Sequence, residues 1–359
     1  MKKSLITLAA LTLVSGIAAA QSSIVLYGNI DLGLLTQNHS TNKTQLFNGG
    51  ISPSIWGIRG SEDLGGGLKA NFNLEGHIAA DTGESGGNAT TGEARLFRRQ
   101  SNVGLSSATL GTVALGNQYS PAILAFAATD PRGLRETFSG LYSWVYNSGV
   151  LTPGGNRNND VGVFVQNAIS YSNKFGPVGI AGSYSVAENT GTPATSRGAV
   201  YSLGANYAGP VSLSAAYQST NKPNTSDRLS SLYTIGAGYT IGDFSGKLNY
   251  LRGVNKDAVT LADTSKVGVV GLGVDWKTAA HNTLGAAAYF GKDKRNSADK
   301  TTTLILTDEY LLSKRTTLYG TLAFADAKAG ATLRTAVVAG GTLANTTTTL
   351  LNVGIKHSF

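Results

Sequence analysis

The stretch Ile24–Leu35, IVLYGNIDLGLL, alternates apolar and polar side chains with a period of two residues. One parity carries Ile24, Leu26, Gly28, Ile30, Leu32 and Leu34, and the other carries Val25, Tyr27, Asn29, Asp31 and Gly33. Because successive side chains of a strand point to opposite faces, one face of this segment is apolar and the other is largely polar. The pattern predicts a β-strand that separates an apolar medium from water.

The same alternation recurs from the first strand to the end of the chain, with no linker or shift of composition between the segments. It predicts about sixteen strands in one unit. The predicted segments are 24–36, 51–61, 67–78, 95–107, 111–120, 161–172, 178–187, 199–208, 210–219, 230–241, 243–253, 266–277, 281–292, 302–313, 315–326 and 347–359.

The connections between these segments are asymmetric in length. Connections after even-numbered segments are short, such as AGP at 208–210, whereas those after odd-numbered segments are mostly longer and polar, such as QNHSTNKTQLFNGG at 37–50. Short turns at one rim and long loops at the other are typical of transmembrane β-barrels. Seven aromatic residues near strand ends fit the interfacial girdles of such a barrel: Tyr207, Tyr217, Tyr239, Tyr250, Trp276, Phe290 and Tyr310.

The N-terminus has the layout of a secretory signal peptide. Lys2 and Lys3 precede an apolar stretch at 5–17, and Ala18–Ala20 form a small-residue cleavage box. We predict a signal peptide at 1–20 and a single domain at 21–359. Loss of the two lysines would lower the formal charge from +8 to +6. The remainder has no cysteine and no apolar run long enough for a transmembrane helix.

The longest irregular stretch is 121–160. A loop of this length within a compact protein is usually functional or disordered. Seven apolar or aromatic residues argue against disorder, because they require a surface to pack on: Leu124, Phe126, Phe138, Leu141, Trp144, Val145 and Tyr146. The stretch is therefore expected to fold into a cavity.

Several segments together resemble the trimeric general porins of Gram-negative bacteria, specifically the β-proteobacterial branch. They are SSIVLYGNIDLG, WGIRGSEDLGGGLKANFNLE, RLFRRQSNVGLSSATLGTVALGNQY, RNNDVGVFVQNAISYSN, LSKRTTLYG and VGIKHSF. The resemblance implies an all-β fold, a sixteen-stranded antiparallel transmembrane barrel in the cell outer membrane. It also implies a homotrimer surrounded by lipid and lipopolysaccharide. The third long loop, 121–160, would fold inward as a constriction in a water-filled channel for small hydrophilic solutes and ions.

The charges of the constriction follow partly from parity and partly from this resemblance. Parity places Arg59, Lys69 and Glu75 on the lumenal face, and the family pattern favours Arg99 there while leaving Arg98 open. The expected constriction set is Arg59, Arg99, Arg98, Arg157, Glu75 and Lys69 on the wall, with Asp130 and Glu136 as the acidic candidates of the loop. Because charged rings select ions by sign, the excess of arginine indicates a preference for anions.

The main alternative is a substrate-selective outer-membrane channel for organic acids or sugars, with an aromatic path that includes Tyr27, Tyr142, Trp144 and Tyr146. An enzyme is disfavoured, because the four histidines are scattered without a Ser or Asp at a catalytic spacing. The chain also lacks a metal-ligand motif, a cofactor motif and the clustered basic and aromatic residues of a nucleic-acid surface.

Overall fold

The computed structural model describes residues 23–38, 44–86, 94–135, 138–140, 156–191, 196–328, 331 and 345–359. The predicted signal peptide lies outside these residues. Sixteen long strands are β1 Ser23–Gln37, β2 Ile55–Gly65, β3 Leu68–Ala79, β4 Gln100–Ser107, β5 Gly111–Tyr119, β6 Phe164–Phe175, β7 Val178–Ser185, β8 Val200–Ala208, β9 Val211–Asn221, β10 Arg228–Ile241, β11 Phe244–Lys256, β12 Asp263–Ala279, β13 Asn282–Asp293, β14 Lys300–Leu311, β15 Thr316–Ala327 and β16 Thr346–Ser358. Short strands at Thr44–Asn48, Glu84–Ser85 and Asn159–Asp160 and the helix α1, Pro121–Thr129, complete the described elements.

The sixteen strands form a closed antiparallel barrel. Each pairs with its neighbours in the chain, and β1 closes the ring by pairing with β16 from Asn29↔Ser358 to Gln37↔Leu350. The structure confirms all sixteen predicted segments. The largest difference is at β4, which begins at Gln100 rather than at 95, because 95–99 forms a turn whose carbonyls at Phe97 and Arg98 accept from Asn117 Nδ2.

The outer face is apolar at the mid-height of the barrel. Leu248, Leu272, Leu304 and Phe324 lie in one row across β11 to β15 and are all exposed. Asn249 and Thr303 alternate with this row and point inward, as do the apolar, buried Ile305 and Ala323. An apolar outer face with polar side chains turned inward is the pattern of a barrel in lipid.

Aromatic side chains mark two levels on this outer face. We call the end with turns such as 242–243 the short-turn rim and the opposite end the loop rim. Exposed aromatics near the short-turn rim are Tyr207, Tyr239, Phe244, Trp276 and Tyr310, and those near the loop rim are Tyr184, Tyr201, Tyr233 and Phe290. These levels correspond to the two interfacial girdles of a membrane barrel.

The helix α1 lies against the inner wall. Ser120 caps it by accepting from Ile123 N, and Pro121 occupies its first turn, where a missing N–H costs nothing. Its backbone approaches β8 closely because Gly204 has no side chain: a Cβ there would lie 2.3 Å from the Pro121 carbonyl oxygen. Ser202 Oγ accepts from Ala122 N at 2.9 Å. In the described residues, no helix is long and apolar enough to span a membrane.

Candidate pore constriction

Arg59 and Tyr27 face the lumen from neighbouring strands. The register pairs Tyr27 with Gly57 and Val25 with Arg59, so both side chains share the inward parity. The exposed Arg59 guanidinium lies over the Tyr27 ring, 4.9 Å from its centroid, in a cation–π contact. The Tyr27 hydroxyl donates to Glu75 at 2.9 Å and also reaches Asn73 Oδ1 at 2.8 Å. The tyrosine therefore connects the arginine to the next strand.

Glu75 is also the partner of Arg99. Arg99 Nε lies 2.8 Å from Glu75 Oε1, and both side chains are buried. The guanidinium contacts the Tyr119 hydroxyl and lies over the Phe164 ring, 5.1 Å from its centroid. Because Glu75 neutralises Arg99, this pair adds little net charge to the wall, and Arg59 is the cation of the group that meets lumenal water.

Arg98 has a different role from Arg99. Its guanidinium forms a two-pronged ion pair with the fully buried Asp160, at 2.9 and 3.3 Å. Asp160 lies where the long loop returns to β6, so the pair holds the end of the loop against the segment before β4. Arg157 lies nearby, is partly buried, and its carbonyl accepts from Arg197 Nη1 at 3.4 Å.

Asp130 is fully buried between the end of α1 and the wall, and this differs from the expectation of an acidic group exposed to the pore. Its carboxylate accepts from the Tyr289 hydroxyl at 2.9 Å, from Leu134 N at 2.9 Å and from Gly140 N at 3.2 Å. Burial raises the pKa of this carboxyl. Asp130 thus anchors the loop to the wall.

Loop arginines beyond Asp130 reach acidic residues of the wall. The buried Arg132 lies 3.4 Å from Asp275 and 3.3 Å from Glu309, and Arg135 lies 2.9 Å from Glu309. Neither of these two acids was singled out from the sequence. Parity would have found them, since Asp275 alternates with the outward Val274 and Trp276.

The structure brings Arg59, Glu75 and Arg99 together but separates Lys69 from them. Lys69 is exposed and lies near the short-turn rim, where the strand register places it opposite Asp63. It is six residues from Glu75 along β3, about 20 Å at strand spacing. Glu136 lies outside the described residues. Within the described ranges, no group of three or more His, Asp or Glu residues is arranged to hold a metal ion.

Comparisons with known proteins agree with this architecture. The family model described as Gram-negative porin matches residues 7–330. The chain is 34% identical to outer membrane porin protein 32 of Delftia acidovorans over the full length of both. An anion-selective porin from Comamonas acidovorans has a similar structure, with a TM-score of 0.79, 28% identity and coverage of 94% of this chain and 100% of that one.

More distant structures show the same fold. The trimer form of OmpT of Vibrio cholerae has a TM-score of 0.63 at 14% identity and covers 94% of this chain and 99% of its own. The family match and the full-length relative are decisive, since the first covers β1 to β15 and the second covers the whole barrel. This chain therefore belongs to the Gram-negative porin family and forms a passive channel of the outer membrane rather than an enzyme.

Proposed function

We propose that the channel favours small anions, and that Arg59 is the principal lumenal charge responsible. The supporting observation is the exposed guanidinium of Arg59 over Tyr27. Among the described residues, no carboxylate lies within ion-pair distance of it. Arg99 and Arg98, in contrast, are each paired with a buried carboxylate. The surplus positive charge of this wall would attract anions into the narrow part of the lumen.

The loop side supports the same sign of selectivity. Asp130 is buried, and Asp275 and Glu309 are engaged by loop arginines. Few carboxylates of the described loop region are therefore left to balance Arg59. The Comamonas relative is described as anion-selective, which agrees with this proposal. We further propose a homotrimer, as described for the Vibrio OmpT form, embedded in outer-membrane lipid and lipopolysaccharide.

The test is the reversal potential of the purified protein in a planar bilayer under a salt gradient. Arg59→Glu should shift the selectivity toward cations, because it reverses the exposed positive charge beside Tyr27. Lys314→Glu is the matched control: the charge change is the same, but Lys314 is exposed in the turn between β14 and β15.

An equal shift in both variants would contradict the assignment to Arg59. A small current that micromolar concentrations of one organic acid or sugar block would instead support a substrate-selective channel.

A further inference from the structure

A cavity of about 450 Å³ lies between α1 and the inner wall of the barrel, toward the short-turn rim. One side of this cavity is the face of α1 that carries Pro121, Leu124 and Ala125, and the other side is formed by β6 to β8. The turn between β4 and β5 bounds it at the rim. Arg59 and the paired arginines of the constriction do not line it. The cavity is therefore a separate place in the lumen, with a volume typical of small-molecule sites.

A row of three inward positions forms the wall of this cavity. The register pairs Lys174 with Gly179 and Gly179 with Asn206 across β6, β7 and β8. Lys174 alternates with the exposed, outward Phe175, and Asn206 alternates with the exposed, outward Tyr207. Because successive side chains of a strand point to opposite faces, Lys174 and Asn206 face the lumen.

Gly179 leaves an open notch between Lys174 and Asn206. A Cβ built at Gly179 would meet no atom within 4 Å. The next inward row toward the mid-height is closed, because a Cβ at Gly204 would lie 2.3 Å from the Pro121 carbonyl oxygen. The helix thus packs directly on the row of Gly204 and leaves the row of Lys174 uncovered beneath it.

Lys174 supplies the charge of the cavity. Of the described residues that line it, Lys174 alone has an ionised side chain. Lys174 is exposed, and in the part of the chain that the structure describes it forms no ion pair with a carboxylate. An anion that enters the cavity can therefore pair with this ammonium without displacing a partner from the protein.

Leu124 gives the cavity an apolar side opposite this charge. Its side chain is 51% exposed, whereas Ile123 and Phe126 of the same helix are buried. Covering exposed apolar surface with the hydrocarbon part of a solute is favourable. The combination of one ammonium and one apolar surface suits an anion with a hydrocarbon chain better than it suits chloride or phosphate.

We propose that this cavity is a binding site for short alkanoate anions, with the carboxylate at Lys174 and the alkyl chain against Leu124. The proposal rests on the proposed function in that the ligand is an anion that enters through the lumen. Because the ion pair is open to water, we expect weak binding, on the order of millimolar. Such a site retains the solute briefly and is compatible with a passive channel.

The test is the block of the chloride current through the purified protein in a planar bilayer by acetate, butyrate and hexanoate at constant ionic strength. The half-blocking concentration should fall by about fourfold for each methylene that contacts Leu124. Leu124→Gln should make the three anions nearly equal. Leu312→Gln is the matched control: it changes an exposed leucine in the turn between β14 and β15 and should keep the wild-type series.

Two further variants test the charge and the notch. Lys174→Gln should raise all three half-blocking concentrations by a common factor of up to about fivefold. Lys277→Gln, which removes an exposed lysine of β12 at the same rim, should not. Gly179→Leu should weaken the block by hexanoate most, because the new side chain would occupy the notch, where the backbone has room for it.

A wild-type series without dependence on chain length would overturn the proposal, and so would a series that Leu124→Gln leaves unchanged. Because Leu124→Gln alters no charge, its reversal potential in potassium chloride should equal that of the wild type. Failure of the anion-selectivity proposal would appear as an unchanged reversal potential in Arg59→Glu, whatever the alkanoate series shows.

Discussion

The Tyr289 hydroxyl donates a 2.9 Å hydrogen bond to the carboxylate of Asp130, which joins the C-terminal end of α1 to the inner wall of β13. Both side chains are buried. This contact holds the inward segment against the wall, although neither group meets the permeating solute.

Tyr289→Phe should loosen the inward segment, because it leaves Asp130 without one of its donors. We expect a loss of about 1.5–3 kcal/mol of stability, as for a hydrogen bond to a charged group, and larger fluctuations of the single-channel current. Tyr319→Phe is the control, since Tyr319 donates to Asp31 at 2.6 Å away from α1. Equal current noise in the two variants would show that the Asp130 contact does not hold the constriction.

Asp130 should make the stability depend on pH. Burial raises the pKa of its carboxyl in the folded protein, so folding takes up a proton and low pH favours the folded state at this residue. The stability of the wild type relative to Asp130→Asn should therefore rise as the pH falls through the Asp130 pKa, and decrease as the pH rises through it. Thermal unfolding of both proteins between about pH 4 and 8 measures this difference. A constant difference, or one that grows with pH, would contradict the expectation.

Glu75 and Arg99 should have opposite effects on selectivity. Glu75→Gln leaves the Arg99 charge unbalanced and should increase the preference for anions, whereas Arg99→Gln frees Glu75 and should decrease it. Each single change should cost about 3–5 kcal/mol, because it leaves a buried charge without its partner. Reversal potentials and unfolding free energies of the wild type, the two single variants and the double variant form a double-mutant cycle. If both single variants shift selectivity in the same direction, the pair is not the neutralised unit described above.

Arg132→Gln should destabilise the protein more than Arg135→Gln. Arg132 is buried and contacts both Asp275 and Glu309, so its loss should cost about 3–5 kcal/mol. Arg135 is about one third exposed and, among the described residues, forms an ion pair with Glu309 alone, so the corresponding cost should be about 1 kcal/mol or less. Unfolding free energies of the two variants, measured side by side, give the comparison. Equal losses would mean that burial of Arg132 is not what secures the loop.

Gly28→Val should impair closure of the barrel. A Cβ at Gly28 would lie 2.4 Å from the Ile55 carbonyl oxygen and 2.6 Å from the Phe359 ring. Gly28 also exchanges two backbone hydrogen bonds with Phe359, at 3.0 and 3.3 Å. We expect a reduced folded fraction in heat-modifiable gel migration. Gly320→Val is the control, because no atom lies within 4 Å of a Cβ built there.

The sequence predicted the barrel well because the signal is local. A strand between lipid and water needs only the alternation of its own side chains, and IVLYGNIDLGLL contains it. The same parity placed Arg59 and Glu75 on the lumenal side, where their contacts with Tyr27 also lie. The alternation of side chains also places Asp275 and Glu309 on the inward face, although neither was singled out from the sequence.

The tertiary structure decided which of these charges are free and which are paired. Asp130 and Tyr289 are 159 residues apart, and Arg132 and Glu309 are 177 apart. No local pattern predicts such contacts, because they depend on how the loop packs inside the closed barrel. The sequence by itself therefore determined the strands and the side of the wall that each residue occupies. Only the closed structure decided that Asp130 is an anchor and Arg59 an exposed charge, since the effect of a charge depends on its burial and on its nearest partner.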